Sequence, residues 1–201
     1  MKQCMIIHGG DIFDTQEQYY THLEAHAYDP TKPERHRWRT WLLKSISHTH
    51  EVWMPEMPCK FNATYRAWKI RFEKHFPYIN EEEMTLIGYS LGGWFLCKRL
   101  SENTFPKQIA QLHLVAWLIE RIDEKWSGDF GFDHNLLGHV EQQCDEIFIY
   151  HSRDDEYVPY VQAELMQSLL PKAELLTFET RGHFFQPALP ELLERMKVYG
   201  R

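Results

Sequence analysis

The stretch Gly88-Tyr89-Ser90-Leu91-Gly92 constrains this chain more than any other, because it sets a serine between glycines placed two positions away on each side. A G-x-S-x-G pentapeptide lets a strand turn sharply into a helix and leaves the serine hydroxyl exposed at the C-terminal edge of a sheet. The flanks have the required character. Met84, Leu86 and Ile87 form a short apolar run suited to a buried parallel strand, and Leu91, Trp94, Phe95 and Leu100 recur near helical spacing. Strand, turn and helix are therefore all predicted around Ser90.

A serine hydroxyl is a weak nucleophile. It needs an imidazole to take its proton and a carboxylate to hold that imidazole in the right tautomer. In the α/β-hydrolase arrangement these follow in the order nucleophile, acid, histidine. The chain supplies that order. Glu146–Tyr150 reads as a strand that runs into His151-Ser152-Arg153-Asp154-Asp155, and Leu175–Phe178 reads as a last strand leading to Gly182-His183-Phe184. A closing helix is predicted from about Pro187 to Val198. Ser90, Asp155 and His183 fit the three roles, although spacing alone does not separate Asp155 from Asp154.

Strands are predicted near Gln3–Ile7, Glu51–Met54, Thr85–Ile87, Gln111–Ala116, Ile147–Tyr150 and Glu174–Phe178, with helical patterns between them. Such alternation implies a mostly parallel sheet with helices on both faces, the three-layer α/β-hydrolase fold. The length, 201 residues, suits a single domain over 1–201, and the connection from Trp117 to Cys144, where related folds place a cap, is too short for a large cap domain. Two connections are long. Between Asp11 and Pro33, Thr15 and Gln18 form a capping-box pattern ahead of Tyr19, Leu23 and His26, which predicts a short helix that serves either as a partial lid or as a surface helix with its aromatic face in the core. Between Trp117 and Cys144, the aromatics Trp117, Trp126, Phe130 and Phe132 fit either the wall of an open acyl pocket or the core.

The motifs Ile7-His8-Gly9-Gly10, Met57-Pro58, Gly88-Tyr89-Ser90-Leu91-Gly92, Ser127-Gly128-Asp129-Phe130, Asp154-Asp155 with Val158-Pro159, and Gly182-His183-Phe184 resemble those of the small serine hydrolases of the retinoblastoma-binding protein 9 and YdeN-like family. The resemblance is patchy but spans nearly the whole chain. It implies that Asp155, the second acid of the Asp-Asp pair and separated by two residues from Val158-Pro159, is the triad acid. It also implies an oxyanion hole built from the Leu91 amide and that of Gly10 or Asp11, where backbone N–H groups meet the charge that builds on a carbonyl oxygen. The Leu-x-Cys-x-Glu segment by which the namesake binds its partner does not occur, so that binding role does not carry over.

The reading is of a serine hydrolase acting on a carboxylic ester, with amide or thioester as further options, and with Tyr89, Trp117, Trp126, Phe130 and Tyr157 as pocket residues. Alternatives are a binding protein on a hydrolase scaffold, or an acyltransferase or perhydrolase. A small-molecule acyl substrate is expected, with no cofactor. The net charge of −7 argues against a nucleic-acid partner. Arg35, Arg37, Arg39 and Lys44 read as the solvated face of an amphipathic helix carrying Trp38, Trp41, Leu42 and Ile46. Neither His48-Thr49-His50 nor the His22/His26 pair has a third ligand in a recognisable zinc pattern, so no metal site is expected. No apolar run approaches a membrane span, and Cys4, Cys59, Cys97 and Cys144 lack Cys-x-x-Cys spacing and read as reduced thiols of a cytoplasmic protein.

Overall fold

In the computed structural model, which describes residues 1–26, 38–80, 83–119 and 128–198, each of the predicted strands forms. In chain order the elements are β1 (Lys2–Ile7), α1 (Gln16–Ala25), α2 (Trp38–Ile46), β2 (His50–Trp53), α3 (Tyr65–Glu73), β3 (Glu83–Tyr89), α4 (Leu91–Glu102), β4 (Gln108–Val115), α5 (Leu137–Gln143), β5 (Cys144–Ser152), α6 (Val161–Leu169), β6 (Glu174–Phe178) and α7 (Pro190–Val198). The strands pair in parallel as one six-stranded sheet in the order β2-β1-β3-β4-β5-β6.

Alternate side chains along each strand enter two apolar layers. Met5, Ile7, Leu86, Leu114 and Ile149 pack with residues of α3, α4, α5 and α6, whereas Cys4, Ile6, Ile87, Val115 and Tyr150 pack with residues of α2 and α7. With both faces covered, the strands need apolar residues at successive positions, which is why they were legible as short continuous runs. This is the three-layer α/β-hydrolase fold, and the described residues contain no large cap domain. After β1 the chain continues to one side of the sheet and after β3 to the other, so the loops leaving these two strands part at the C-terminal edge. Open parallel sheets bind ligands in the crevice at such a switch point.

β4 and β5 begin earlier than predicted, at Gln108 and Cys144, and two polar residues inside β4, Gln111 and His113, are buried and hydrogen-bonded. His113 is buried in β4 and stacks on Phe148 with centroids 5.0 Å apart. The Gln111 amide nitrogen donates to Glu146 and to the Arg195 carbonyl, so its oxygen is the acceptor that faces His113 Nε2 at 3.2 Å. Nε2 therefore carries the proton and Nδ1 accepts from the Tyr150 hydroxyl at 2.9 Å. A second proton would break that bond and place a charge in the core; burial accordingly pushes His113 down to about 3. Burial also lowers His8, His50 and His151.

These depressed values set the sign of the pH dependence. In the unfolded chain the imidazoles take up protons near pH ~6.5, while in the folded chain they resist until lower pH, so acid favours unfolding. The contribution is whole above about pH 6.5 and is lost as pH falls towards about 3, with His113 alone worth on the order of a few kcal/mol. The urea midpoint is expected to fall steadily between pH 7 and about 4; a midpoint that is flat or rises over that interval would contradict the assigned neutral imidazoles.

At α1 the capping box forms as predicted: the Gln18 amide donates to Thr15 Oγ1 at 3.2 Å and the Thr15 amide to Gln18 Oε1 at 3.0 Å. Of the two readings of this helix, partial lid or surface helix with its aromatic face in the core, the second is not met. No residue of α1 is buried, and Tyr20 and Leu23 are about half exposed. The buried ring here is Phe13, ahead of the helix, which touches Tyr19 and His22. Capping is a local signal and fixes where a helix starts; it does not say what the helix packs against. In α2, Trp38, Leu42 and Ile46 are buried as the amphipathic pattern predicts, while Arg35 and Arg37 lie outside the described residues. The start of α3 is capped from a distance, with Asp129 accepting from the Tyr65 amide at 2.6 Å and the Arg66 amide at 3.3 Å. No described helix is long and apolar enough to cross a membrane.

Candidate active site

Ser90 stands between β3 and α4 with φ 53° and ψ −122°, a conformation that L-residues avoid. The glycines around it explain how the turn closes. A Cβ at Gly88 would lie 2.6 Å from the Gly93 Cα, and one at Gly92 would lie 2.4 Å from the Ile7 carbonyl oxygen. Side chains at these positions would push α4 off β1 and β3. Gly93, which the pentapeptide does not include, is as constrained, since a Cβ there would lie 2.5 Å from the Trp117 Cβ.

The turn aims the Ser90 hydroxyl at His183 Nε2, 3.0 Å away. On the far side of the ring, Nδ1 lies 2.9 Å from Asp155 Oδ2 and 3.1 Å from Oδ1. The Asp155 side chain is fully buried, and its Oδ1 also accepts the Tyr157 and Val158 amides, each at 2.9 Å. Two backbone donors and the imidazole thus satisfy the buried carboxylate. Ser90, Asp155 and His183, which are far apart in sequence, are brought into one hydrogen-bonded line.

Asp154 faces elsewhere. Exposed on the surface, its Oδ1 accepts the Ser152 hydroxyl at 2.5 Å and the Gly182 amide at 2.8 Å, and these bonds hold its carboxyl below the usual range.

The loop after β1 passes beside Ser90, where a Cβ on Gly9 would lie 3.1 Å from the Ser90 Cβ. His8 braces that loop. The Met57 amide donates to His8 Nε2 at 2.9 Å, so Nδ1 carries the proton and donates to the Gly9 carbonyl at 2.6 Å. The two residues expected to share the oxyanion role separate here. The Asp11 amide is committed to the Lys60 carbonyl at 2.8 Å, so it is not free to meet an oxyanion. The Gly10 amide has no acceptor among the described residues, and the Leu91 amide, opening α4, has none within its helix. Asp11 is exposed as a residue, but the protein packed around its carboxyl raises it above the usual carboxylate range.

Among the expected pocket residues, Trp117 and Phe130 are core instead. Trp117 fills the space beside Gly93, and Phe130 is fully buried against Tyr65, Trp68 and Trp94. An aromatic run has the same signature in a core and in a pocket wall, and here Tyr65 and Trp68 of α3 and Gly93 and Trp94 of α4 pack against these rings. Tyr89 is also buried, and its hydroxyl donates to the His183 carbonyl at 2.8 Å. Tyr157 is 60% exposed with its ring 5.1 Å from that of His183, so it is the expected pocket residue that borders the site and meets solvent. Phe185 was not anticipated; it lies 5.5 Å from His183 and edge-on to Tyr157. Trp126 lies outside the described residues. Among the described residues no group of His, Cys, Asp or Glu is placed to hold a metal ion.

No protein-family model matches the chain, and no curated protein does. Solved structures do match in fold. The ydeN gene product of B. subtilis is 20% identical with a TM-score of 0.75, covering 99% of this chain and 98% of that one. The meta-cleavage product hydrolase CumD from Pseudomonas fluorescens IP01 is 13% identical with a TM-score of 0.67, covering 98% and 89%. Est1E from Butyrivibrio proteoclasticus, solved with ferulic acid bound, is 15% identical with a TM-score of 0.65, covering 99% and 88%. At these identities the likeness is one of fold. It is the small α/β-hydrolase fold that the YdeN-like motifs implied, matched over almost the full length of both chains.

Proposed function

We propose that the protein is a serine hydrolase that cleaves a small-molecule carboxylic ester through an acyl-serine intermediate. The observation that carries this reading is the continuous line from Ser90 Oγ to His183 Nε2, 3.0 Å, and from Nδ1 to the buried Asp155 carboxylate, 2.9 Å. His183 takes the Ser90 proton as the hydroxyl attacks the ester carbonyl, then gives it to the leaving alcohol; a water repeats the cycle to release the acid. Asp155 holds the Nδ1 proton, so that Nε2 keeps its lone pair towards Ser90. The Leu91 and Gly10 amides receive the oxyanion. Tyr157, uncovered beside the imidazole, borders the entering ester. The esterases and hydrolases among the structural neighbours support hydrolysis as the reaction class.

A fluorophosphonate probe tests the assignment without a known substrate, because it phosphonylates only a serine that a neighbouring base activates. Peptide mapping should place the label on Ser90, alongside hydrolysis of short-chain p-nitrophenyl esters. Label found at another serine, or no label together with no hydrolysis, would overturn the reading.

A further inference from the structure

His183 sits on backbone that does not adopt its shape freely. Gly182 has φ 50° and Phe184 has φ 55°, so the chain is left-handed on both sides of the imidazole-bearing residue. For the non-glycine Phe184 this conformation is unfavourable and persists only where the surroundings over-determine it. One determinant is the burial of the Phe184 ring edge-on against Phe178. Two others come from the chain neighbours of the other triad members. Asp154, next to Asp155, accepts the Gly182 amide at 2.8 Å and the Ser152 hydroxyl at 2.5 Å, and Ser152 Oγ in turn accepts the Arg181 amide at 2.9 Å. Tyr89, next to Ser90, donates its hydroxyl to the carbonyl of His183 itself at 2.8 Å.

We infer that Asp154 and the Tyr89 hydroxyl are positioning residues, which hold the His183 loop so that the imidazole spans Ser90 and Asp155. This rests on the serine-hydrolase reading above. The residue before the nucleophile grips the base's carbonyl, and the residue before the acid grips the amide ahead of the base, so each strand that presents a triad member also fixes the loop of the third. For Asp154 the consequence falls on rate more than on stability. Asp154 is exposed, where a hydrogen bond contributes little net free energy. A misplacement of about 1 Å in a reacting group, by contrast, costs about a hundredfold in rate.

The test compares wild type with Asp154→Ala, Asp154→Asn, Tyr89→Phe and the double variant Asp154→Ala/Tyr89→Phe. Four quantities are read: kcat and KM on a p-nitrophenyl ester, the second-order rate of fluorophosphonate inactivation, and thermal melting. Asp154→Ala and Tyr89→Phe should each lower kcat and the inactivation rate together by about tenfold, with KM changed by less than about twofold. Asp154→Asn keeps an Oδ1 acceptor for both donors and should recover to within about threefold of wild type. A purely structural role would lower the melting temperature and leave the folded enzyme's kcat and inactivation rate alone, and that result overturns the inference. Wild-type rates in both single variants, or a loss carried by KM, overturn it too. Should wild type neither react nor turn over, the hydrolase reading falls and this inference with it; reactive wild type with equally reactive variants sinks the inference alone.

Discussion

Ser90→Ala is expected to lower kcat for a p-nitrophenyl ester on the order of 10⁶-fold while the protein stays folded. The size follows from the covalent step: without Oγ there is no acyl-enzyme, and the base, its orienting acid and the oxyanion amides have nothing to act through. What remains is the slow attack of water on an ester held near the Leu91 and Gly10 amides. The fold should tolerate the change. Ser90 is half-buried and its hydroxyl bonds to His183 Nε2, so alanine opens no core cavity. Alanine also carries the same Cβ at φ 53°, so the backbone strain is the same in both proteins. The check is turnover of purified variant and wild type, beside their melting curves. A variant that keeps more than about one hundredth of wild-type turnover would move the nucleophile elsewhere.

How far the sequence disclosed this site depends on whether each requirement is local. The elbow was legible because its demands lie within five residues: glycines where Cβ atoms would strike β1 and α4, a strand before and a helix after. The strands were legible because a sheet covered on both faces needs successive apolar positions. Gly93 went unnoticed because what forbids a side chain there is Trp117, which arrives from the end of the next strand. The choice between Gly10 and Asp11 was closed to sequence for a similar reason, since Lys60, on a loop after β2, takes the Asp11 amide. Trp117 and Phe130 misled in another way. Apolar composition says that a ring will leave water, and only the packing of α3 and α4 around them decides between core and pocket.

The neighbouring acids show the same division. Asp154 and Asp155 are identical in chemistry and adjacent in sequence, and the motif resemblance favoured Asp155. The physical discriminator is the backbone: with the Tyr157 and Val158 amides closing on Oδ1, the Asp155 side chain is turned inward to His183, and Asp154 is left outside to meet Ser152 and Gly182. A turn of this kind is a three-dimensional fact that Val158-Pro159 hints at without specifying.

That turn makes Asp155→Asn a sharper experiment than an ordinary charge removal. Oδ1 receives two backbone N–H groups at 2.9 Å, so the new amide must present its oxygen there and its NH₂ at the Oδ2 position, 2.9 Å from His183 Nδ1. A donor facing Nδ1 forces the imidazole to carry its proton on Nε2 instead. Nε2–H then points at the Ser90 hydroxyl and has no lone pair with which to take the proton. The variant should therefore keep its fold and its KM while kcat falls on the order of 10⁴-fold, and fluorophosphonate labelling should slow in parallel. Turning the amide over to restore the tautomer would set NH₂ against two N–H donors in a buried site, so the wrong arrangement is the stable one. A loss of less than about a hundredfold, with the fold intact, would mean that Asp155 does not set the tautomer of His183 and that another group does.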